Sequence, residues 1–466
     1  MSGPVERAGG SVDRAGGSVD RARLEALTTR ERERFAAGHS RSRELFEQAR
    51  ANLLGGVPMS WMVMWPGGHP IFAAEASGAH IRDVDGNDYV DLCLGDTGAM
   101  AGHGPEPTAE AVAARYRKGA TTMLPTEDAL WAAAELERRF RLPLWQLTLS
   151  ATDANRFAIR MARQVSGRPK VLVFSYCYHG TVDETFIVVG PDGRPVSREG
   201  NVGPPVDPAV TTEVVEFNDG DALERALSAG EVACVLAEPA LTNIGIVLPE
   251  PGFHDALREL TRATGTLLVI DETHTFSAGP GGYTAAHGVE PDMLTIGKAI
   301  AGGVPAGAFG MSAELAARIE SQTGADYEDT GGVGGTLAGN ALSTAAIRAT
   351  LGEVLTADAF ERMIALAARF TAGVEGAIAA EGLPWHVTRL GARAEYRFSP
   401  EPPSSGGESA RAGDAQLEHY LHLYLLNRGV LITPFHNMAL TCPATVEADV
   451  DRHTDLFAAA CAELTG

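Results

Sequence analysis

The sequence is poor in positive charge for its length. Its 466 residues include 38 Lys and Arg against 60 Asp and Glu, so the formal net charge is -22 and the pI is near 5.0. Nucleic acids and anionic membrane surfaces bind proteins through basic patches. The composition therefore disfavours both as partners, and a small-molecule substrate is the better expectation.

Cysteines and long apolar runs are also scarce. The five cysteines are scattered without the close spacing of metal ligands, and their odd number argues against a disulfide framework. We expect reduced cysteines and no metal centre. No apolar run approaches the length of a membrane span, and the N-terminus carries charges where a signal peptide needs an apolar core. These absences predict a cytoplasmic protein.

The rest of the composition, 45% hydrophobic and 21% charged, provides for a large core in two domains. Residues 1–30 contain a Gly-rich repeat and are predicted to form a flexible tail. Over 95–345, helices alternate with apolar strands, which indicates an α/β fold with a mostly parallel sheet between helices. Residues 31–94 carry hairpin signals, and we expect them to join 346–466 in a smaller domain.

Two details of the chain ends can also be predicted. One charged helix is expected over 24–51, where a Gly-Gly-Val-Pro sequence follows it. A loop is expected over 399–413, between a strand and a helix.

An acid and a lysine in an apolar setting are the most informative features. Asp271 ends the run Leu267-Leu268-Val269-Ile270, and Lys298 lies between Ile296 and Ile300 before a Gly-Gly-Val-Pro turn. A lysine can form a Schiff base with pyridoxal phosphate, and a buried acid can keep the pyridine nitrogen protonated. The alternative is an ordinary strand end and a surface lysine. The apolar, bent surroundings favour the cofactor lysine.

A phosphate group could be bound just before the predicted helix 156–164. Ser150, Ala151 and Thr152 precede that helix, where free backbone amides and the helix dipole favour an anion. Hydroxyls that only cap the helix are the alternative. The glycine-rich loop 331–340 would also permit close approach to an anion, although a simple connector would look similar.

Two other strands bring polar or aromatic residues to the same edge of the predicted sheet. Tyr178 and His179 follow the strand 171–174, and Glu238 follows the strand 232–237. Parallel sheets bind ligands at the carboxyl ends of their strands, and an aromatic ring there can lie flat on a planar cofactor. Core packing is the alternative.

Six segments, taken in their order along the chain, resemble the class III aminotransferases of fold type I. They resemble most of all the branch of glutamate-1-semialdehyde aminomutases and β-amino acid aminotransferases. The resemblance covers the chain from about residue 40 onwards. It implies a large domain with a mostly parallel seven-stranded sheet flanked by helices, plus a smaller α+β domain built from both chain ends. The segments are Ser150-Ala151-Thr152-Asp153-Ala154, Tyr178-His179-Gly180, Glu238-Pro239, Asp271-Glu272, Gly297-Lys298-Ala299 and Gly335-Thr336-Leu337-Ala338-Gly339-Asn340.

The resemblance implies a role for each matching position. Lys298 would be the Schiff-base lysine and proton carrier, Asp271 the partner of the pyridine nitrogen, and Tyr178 the stacking aromatic. The family usually has glycine at position 151 and glutamate at 153, but Ala151 keeps its backbone amide. The other implied cofactor-binding residues are Ser150, Ala151 and Thr152 at the phosphate, His179 and His274 near the cofactor, Glu238 on the crevice wall, and Thr336, which would reach the phosphate from the neighbouring subunit of an obligate homodimer.

The substrate is less defined. β-Amino acid aminotransferases commonly carry arginines in segments that correspond to 57–65 and 433–437, and neither segment contains one here. Trp61, Trp65 and Phe435 instead predict a broad aromatic pocket, with core packing as the alternative.

Arg393 is the best remaining anchor for a substrate carboxylate, because its planar guanidinium matches two oxygens. A structural ion pair is the competing account, because Arg393, Glu395 and Arg397 share one face of the predicted strand.

We therefore expect a PLP-dependent aminotransferase that moves an amino group from a hydrophobic amine or amino acid to a keto acid or aldehyde. An aminomutase or an amino acid racemase would use the same residues and stays open. A binding protein that kept the fold without catalysis is disfavoured, because such a protein needs neither Lys298 nor Asp271.

Overall fold

The computed structural model describes residues 19–203, 206–322 and 332–466. The helices are α1 (Arg21–Gly38), α2 (Ser40–Ala49), α3 (Glu106–Tyr116), α4 (Glu127–Phe140), α5 (Ala151–Ser166), α6 (Gly220–Ser228), α7 (Phe253–Thr264), α8 (Gly282–His287), α9 (Ala313–Gln322), α10 (Ala341–Ala349), α11 (Ala357–Ala380), α12 (Gly406–Arg411), α13 (Ala415–Leu426) and α14 (Glu447–Thr465). The strands are β1 (Ala73–Ser77), β2 (His80–Asp83), β3 (Asp88–Asp91), β4 (Leu144–Thr148), β5 (Lys170–Phe174), β6 (Ile187–Val189), β7 (Pro195–Ser197), β8 (Thr212–Val215), β9 (Val232–Ala237), β10 (Leu267–Asp271), β11 (Met293–Ile296), β12 (Gly307–Met311), β13 (His386–Leu390), β14 (Arg393–Arg397), β15 (Val430–Leu431) and β16 (Met438–Leu440).

The large domain is built on a seven-stranded sheet in the order β4-β12-β11-β10-β9-β5-β8. Only β12 runs antiparallel to its neighbours among the described strands of this sheet. Every residue of β9 and β10 is buried, because helices cover both faces of the sheet and the strands are apolar on both sides. The predicted mostly parallel seven-stranded sheet is confirmed.

The parallel strands bring distant segments to one edge of this sheet. Residues 174, 237, 271 and 296 end β5, β9, β10 and β11, and the register pairs Asp271 with Thr295. The loops that follow these strands therefore carry Tyr178, Glu238 and Lys298 to the same side.

The smaller domain joins both ends of the chain, as expected. β15 pairs in parallel with β3, so a late strand completes the four-stranded sheet of the N-terminal hairpins. The helix α1 packs on α13 nearby, where the buried Glu31 carboxylate accepts hydrogen bonds from Arg428 at 2.8 and 3.0 Å. β13, β14 and β16 form a second sheet, which lies against α11.

Several expectations for the chain ends were wrong in detail. The repeat of the predicted tail lies mostly outside the described residues, but 21–30 are helical because Asp20 caps α1 and Leu24 is buried. The charged segment 24–51 forms two helices that break at His39, whose ring bonds to Phe35 O and Tyr89 Oη. The segment 399–413 contains α12, which Ser405 caps.

The expected domain boundaries fall within helices. The boundary after residue 30 lies inside α1, and the boundary after residue 345 lies inside α10. The division of the chain into domains at these residues stays a prediction.

One helix differs from the expectation that no apolar run reaches the length of a membrane span. By length and composition alone, α11 is long and apolar enough to cross a membrane. It packs along α14 and buries Phe360, Met363, Phe370 and Val374 in the protein core. A core helix passes the same test, so its composition carries no conclusion about membranes.

Candidate active site

A cavity of about 440 Å³ opens at the carboxyl edge of the large sheet. Beside the candidates, its walls include Gly95, Gly98, Thr273 and the turn 303–306. The structure thus brings together eight residues that the sequence singled out: Trp61, Ser150, Ala151, Thr152, Tyr178, Asp271, His274 and Lys298.

Asp271, the last residue of β10, lines the cavity. Its Oδ2 accepts hydrogen bonds from Asn155 Nδ2 at 2.8 Å and from His179 Nδ1 at 2.9 Å, while Oδ1 accepts from Thr273 N at 3.0 Å. Burial alone raises the pKa of the Asp271 carboxyl, but these partners, led by His179, outweigh it and lower the pKa below the ordinary value. The acid stays ionised and fixed in orientation.

His179 lies behind Asp271 and does not line the cavity. Its side chain is fully buried. Burial lowers the pKa of His179, whereas its interactions with Cys177 and its hydrogen bond to Asp271 raise it, and the net pKa lies well above the ordinary value. The protonated ring of His179 therefore stabilises the negative charge of Asp271 from outside the cavity. The resemblance implied only that His179 lies near the cofactor.

Lys298 lines the same cavity as Asp271 and lies on the turn after β11. Its backbone takes φ 49°, a conformation that is uncommon for a non-glycine residue. Its Nζ is 2.9 Å from Asp96 Oδ2, 3.0 Å from Asp96 O and 2.8 Å from His274 Nε2. Its sequence neighbours Ile296 and Ile300 are buried, but the amino group at the end of the Lys298 side chain contacts polar and charged groups.

The N-terminus of α5 forms one wall of the cavity. Ser150 caps this helix by accepting from Asp153 N, as the capping alternative proposed. The amides of Ala151 and Thr152 precede the first helical hydrogen bond, which runs from Ala154 N to Ser150 O. These two N–H groups and the helix dipole suit an anion.

Two glycines keep this wall closely packed. A Cβ at Gly180, which has φ +76°, would lie 2.0 Å from Thr152 Oγ1, and a Cβ at Gly297 would lie 2.8 Å from Ala151 N. Any side chain at these positions would displace the start of α5.

Aromatic rings form the outer part of the site. Trp61 contacts the rings of Tyr178 and Phe435, each at 5.6 Å between centroids. The backbone N–H of Tyr178 donates to Glu238 Oε1 at 3.0 Å, so Glu238 orients Tyr178 from behind and does not line the cavity. Burial, and then the charge of Asp96, raises the pKa of Tyr178 to about 12.

Three other candidates lie outside the cavity. Trp65 packs against the apolar cluster of Phe35 and Tyr89, which matches the core-packing alternative. Thr336 is exposed on the surface of the chain. Arg393 is completely buried; within the described residues its guanidinium nitrogens have no hydrogen-bond partner and no ion pair, so the predicted pair with Glu395 is absent.

The sequence did not point to Asn155, Asp96 and Thr97. Asn155 could have been noticed, because it is a polar residue on the buried face of α5 beside Ala154 and Ile159. Asp96 and Thr97 carried no such signal. They lie in a turn of positive φ after β3, and only the tertiary fold brings them to Lys298 and His274.

Comparison with known proteins identifies the family and the fold. The model of the family "Aminotransferase class-III" matches residues 64–460. The chain belongs to the class III aminotransferases. It is 33% identical over 430 residues to the glutamate-1-semialdehyde 2,1-aminomutase of Anaeromyxobacter sp. (strain Fw109-5), which covers 91% of this chain and 98% of the relative.

Solved structures of this class III family agree. A glutamate-1-semialdehyde aminomutase from Pseudomonas aeruginosa PAO1, in complex with PMP, has 52% identity and a TM-score of 0.93, covering 96% of this chain and 99% of that one. A β-phenylalanine aminotransferase from Variovorax paradoxus has 28% identity and a TM-score of 0.82, covering 94% and 97%. The resemblance predicted from the six segments is confirmed, and so is the dependence on PLP.

The class III site fits this cofactor. A buried, ionised carboxylate at Asp271, a lysine at Lys298 and free amides at Ala151 and Thr152 surround one cavity, with Tyr178 on its wall. The close approach of Gly180 to Thr152 leaves no side chain across this wall.

Proposed function

We propose that this enzyme is a PLP-dependent aminomutase, which moves an amino group between two carbons of one substrate. The observation that carries the proposal is the similarity to glutamate-1-semialdehyde aminomutases, 52% identical in one solved structure and 33% over nearly the full length of a curated relative. The sequence alone favoured transfer between two molecules, with the aminomutase as the alternative. The comparisons favour that alternative.

Different residues of the cavity would have different roles in this reaction. When bound, PLP takes up the amino group and disperses negative charge that develops on the substrate carbon. Asp271 would keep the ring nitrogen protonated, with His179 and Asn155 holding the carboxylate in place. Lys298 takes the proton from one substrate carbon and returns it to another position.

Orientation comes from the ends of the cavity. The first amides of α5 would hold the phosphate, and Tyr178, on the wall of the cavity, would cover the ring. Trp61, whose ring contacts Tyr178 and Phe435, would form the outer wall beside the reacting atoms.

A transfer of the amino group between an apolar amino acid and a keto acid is the second candidate. It is favoured by the aromatic wall of Trp61 and Phe435 and by the likeness to the β-phenylalanine aminotransferase. For either reaction we propose Arg393 as the anchor of a substrate carboxylate, because its buried guanidinium has no other partner within the described residues. Arg393 does not line the cavity, so it would have to turn toward the substrate.

We also propose a homodimer in which Thr336 completes the phosphate site of the other subunit. Exposed apolar side chains support this, since Leu337 is 48% exposed, Met123 77% and Leu124 70%. The loop of Met123 is tied to α10 by the bond from Ala341 N to Ala120 O, so these residues belong to one region of the surface. The cytoplasmic location stays a prediction.

The decisive experiment supplies glutamate-1-semialdehyde to the purified enzyme without any acceptor. Isomerisation to the amino acid product supports the aminomutase. If product forms only when β-phenylalanine and 2-oxoglutarate are added together, the second candidate replaces it.

Borohydride reduction tests the cofactor attachment separately. The chain contains only three lysines, Lys118, Lys170 and Lys298, so mass spectrometry of the reduced protein identifies the linked residue without ambiguity. The label is expected on Lys298, and Lys118→Arg serves as the matched control that keeps it.

A further inference from the structure

A second cavity, of about 560 Å³, lies in the smaller domain, where the two ends of the chain meet. Its wall includes Arg34 of α1, Arg428 after α13, Arg452 of α14, and Asn87 and Tyr89 of the β2–β3 hairpin. It shares no lining residue with the candidate active site. The wall thus gathers three guanidinium groups, although the formal net charge of the chain is -22.

The guanidinium of Arg428 is fixed in this wall. It donates to Glu31 Oε2 at 2.8 Å, to Glu31 Oε1 at 3.0 Å and to Tyr424 O at 2.9 Å, and it lies 3.4 Å from the centre of the Tyr424 ring. Glu31 balances its charge. These bonds use three of the five N–H donors of an arginine, so Arg428 can offer the others to a ligand in a fixed orientation.

The charges of Arg34 and Arg452 are not balanced in this way. Arg452 Nη2 donates to the backbone oxygen of Arg428 at 2.6 Å, which is a neutral acceptor. Neither Arg34 nor Arg452 forms an ion pair with a carboxylate within the part of the chain that the structure describes. Asp88, the one acidic residue of the wall, is bound by Arg82 at 2.7 and 2.9 Å. Two positive charges of the cavity are therefore left without a counter-ion.

Gly429 keeps these groups close together. It has φ +80°, and a Cβ there would lie 2.7 Å from Asp88 O and 2.8 Å from Arg452 Nη2. Because Gly429 lines the cavity, a side chain at this position would displace Arg452 and fill part of the space.

We propose that the second cavity binds the phosphate group of a small metabolite, with Arg34 and Arg452 as its counter-ions and Arg428 as an oriented donor. A phosphate monoester carries a charge of about -1.5 to -2 at pH 7, so one group can neutralise two guanidinium groups, whereas one carboxylate cannot. The planar fork of arginine also fits the oxygens of a phosphate. Cavities of about 300–1,000 Å³ bind small molecules, so this one leaves room for a polar organic part beside Asn87.

Isothermal titration calorimetry of the holoenzyme tests this site. Glucose 6-phosphate is compared with glucose, which lacks the phosphate, and with succinate, which carries two separate carboxylates. We expect one molecule of glucose 6-phosphate to bind per chain, succinate to bind more weakly, and glucose not to bind. The affinity for glucose 6-phosphate should fall as the salt concentration rises, because salt screens exposed charges.

Two substitutions and a matched control locate the binding. Arg34→Gln and Arg452→Gln each remove one charge and should weaken the binding of glucose 6-phosphate by at least about tenfold. Arg32→Gln should keep the native affinity, because Arg32 lies on the same helix as Arg34 but bonds to His419 Nε2 at 3.3 Å and does not line the cavity. Arg34 and Arg452 are exposed, so both variants should fold, which circular dichroism verifies.

The proposal is overturned if glucose 6-phosphate does not bind to the native holoenzyme at millimolar concentration, or if glucose or succinate binds as tightly. It is also overturned if Arg34→Gln and Arg452→Gln bind glucose 6-phosphate like the native chain, since a phosphate that entered the cofactor site would be unaffected by either change. The proposed reaction at Lys298 is not involved in any of these outcomes.

Discussion

Replacing Asp271 by asparagine should stop catalysis while the protein stays folded. The two side chains have nearly the same shape, so the change removes charge without opening a cavity. In the native site two donors, Asn155 Nδ2 and His179 Nδ1, meet Oδ2 of Asp271. The amide can offer its oxygen to these donors only if its NH2 group turns toward Thr273 N, which is itself a donor.

The size of the effect follows from these contacts. Without the Asp271 carboxylate, burial would favour the neutral form of His179. The protonated ring nitrogen of PLP would lose its counter-ion, and removing one partner of a buried ion pair costs about 3–5 kcal/mol. At 1.36 kcal/mol per decade, kcat/KM should fall by about 10²- to 10⁴-fold.

The assay compares turnover and cofactor content of Asp271→Asn with those of Glu238→Gln. Glu238 is an equally buried carboxylate at the end of the neighbouring strand, but it bonds to Tyr178 N and Thr242 and does not line the cavity. Glu238→Gln should keep at least about a tenth of the activity, because its loss is confined to hydrogen bonds worth about 0.5–1.5 kcal/mol each. Activity of Asp271→Asn within tenfold of the native enzyme, at equal cofactor content, would refute the assigned role.

Three further changes test the rest of the structure. Trp61→Ala removes ring contacts with Tyr178 and Phe435, each worth about 0.5–1.5 kcal/mol, so KM for β-phenylalanine should rise about tenfold while that for alanine changes little. Arg393→Met keeps a side chain of similar length and should reduce kcat/KM for a substrate with a carboxylate by about 10²-fold or more, because charged hydrogen bonds contribute about 1.5–3 kcal/mol each. The same change should leave kcat/KM for 1-phenylethylamine, which has no carboxylate, unaffected. Equal losses for both compounds would exclude a carboxylate anchor. Burial opposes ionisation of Glu31, but hydrogen bonds from Arg428 and then Asn427 lower its pKa from 4.5 to about 2. Its stabilising contribution is therefore complete above pH 4.5 and lost as the pH falls toward 2, so Glu31→Gln should lower Tm at pH 6 and flatten the decline of Tm between pH 5 and 2.

The parts of the fold that depend on local pattern could be predicted from the sequence. β9 is apolar throughout and β10 is apolar up to Asp271, and uniform burial in a parallel sheet is the physical reason for that pattern. Parallel strands then place their carboxyl ends together, so Tyr178, Glu238 and Lys298 could be assigned to one edge before any coordinates were known.

Whether a given side chain points into the cavity or away from it could not be predicted in the same way, because adjacent residues can point in opposite directions. His179 and Tyr178 are adjacent in sequence, yet one lies behind Asp271 and the other lines the cavity. Trp61 and Trp65 differ similarly, because a turn of 3₁₀ helix over Ser60–Met64 leaves Trp61 at the site and directs Trp65 to the core near Phe35. Aromatic content alone does not distinguish these outcomes.

The surroundings of Lys298 show why the charge of a site is hard to read from sequence neighbours. Ile296 and Ile300 suggested an apolar environment, and both are indeed buried, but a side chain as long as lysine carries its charge away from its own backbone. The carboxylate that meets it comes from Asp96, 202 positions earlier in the chain. Asp96 lies in a turn where Leu94, Asp96 and Thr97 all have positive φ, a conformation that only the packed fold can impose on such residues.

Each charged group at the two poles of the cavity has its own counter-ion, which constrains how the cofactor is held. The carboxylate of Asp271 is paired with His179, and the amino group of Lys298 with Asp96. Neither end of the cavity therefore has an unpaired positive charge that could bind a phosphate. No arginine lines the cavity within the described residues. We therefore expect this chain to bind the phosphate dianion through backbone amides, the dipole of α5 and hydroxyl groups, which bind phosphate through geometry more than through net charge. This explains why the packing of Gly180 against Thr152 is so close: when amides supply most of the binding, the position of the helix start matters more than any single side chain.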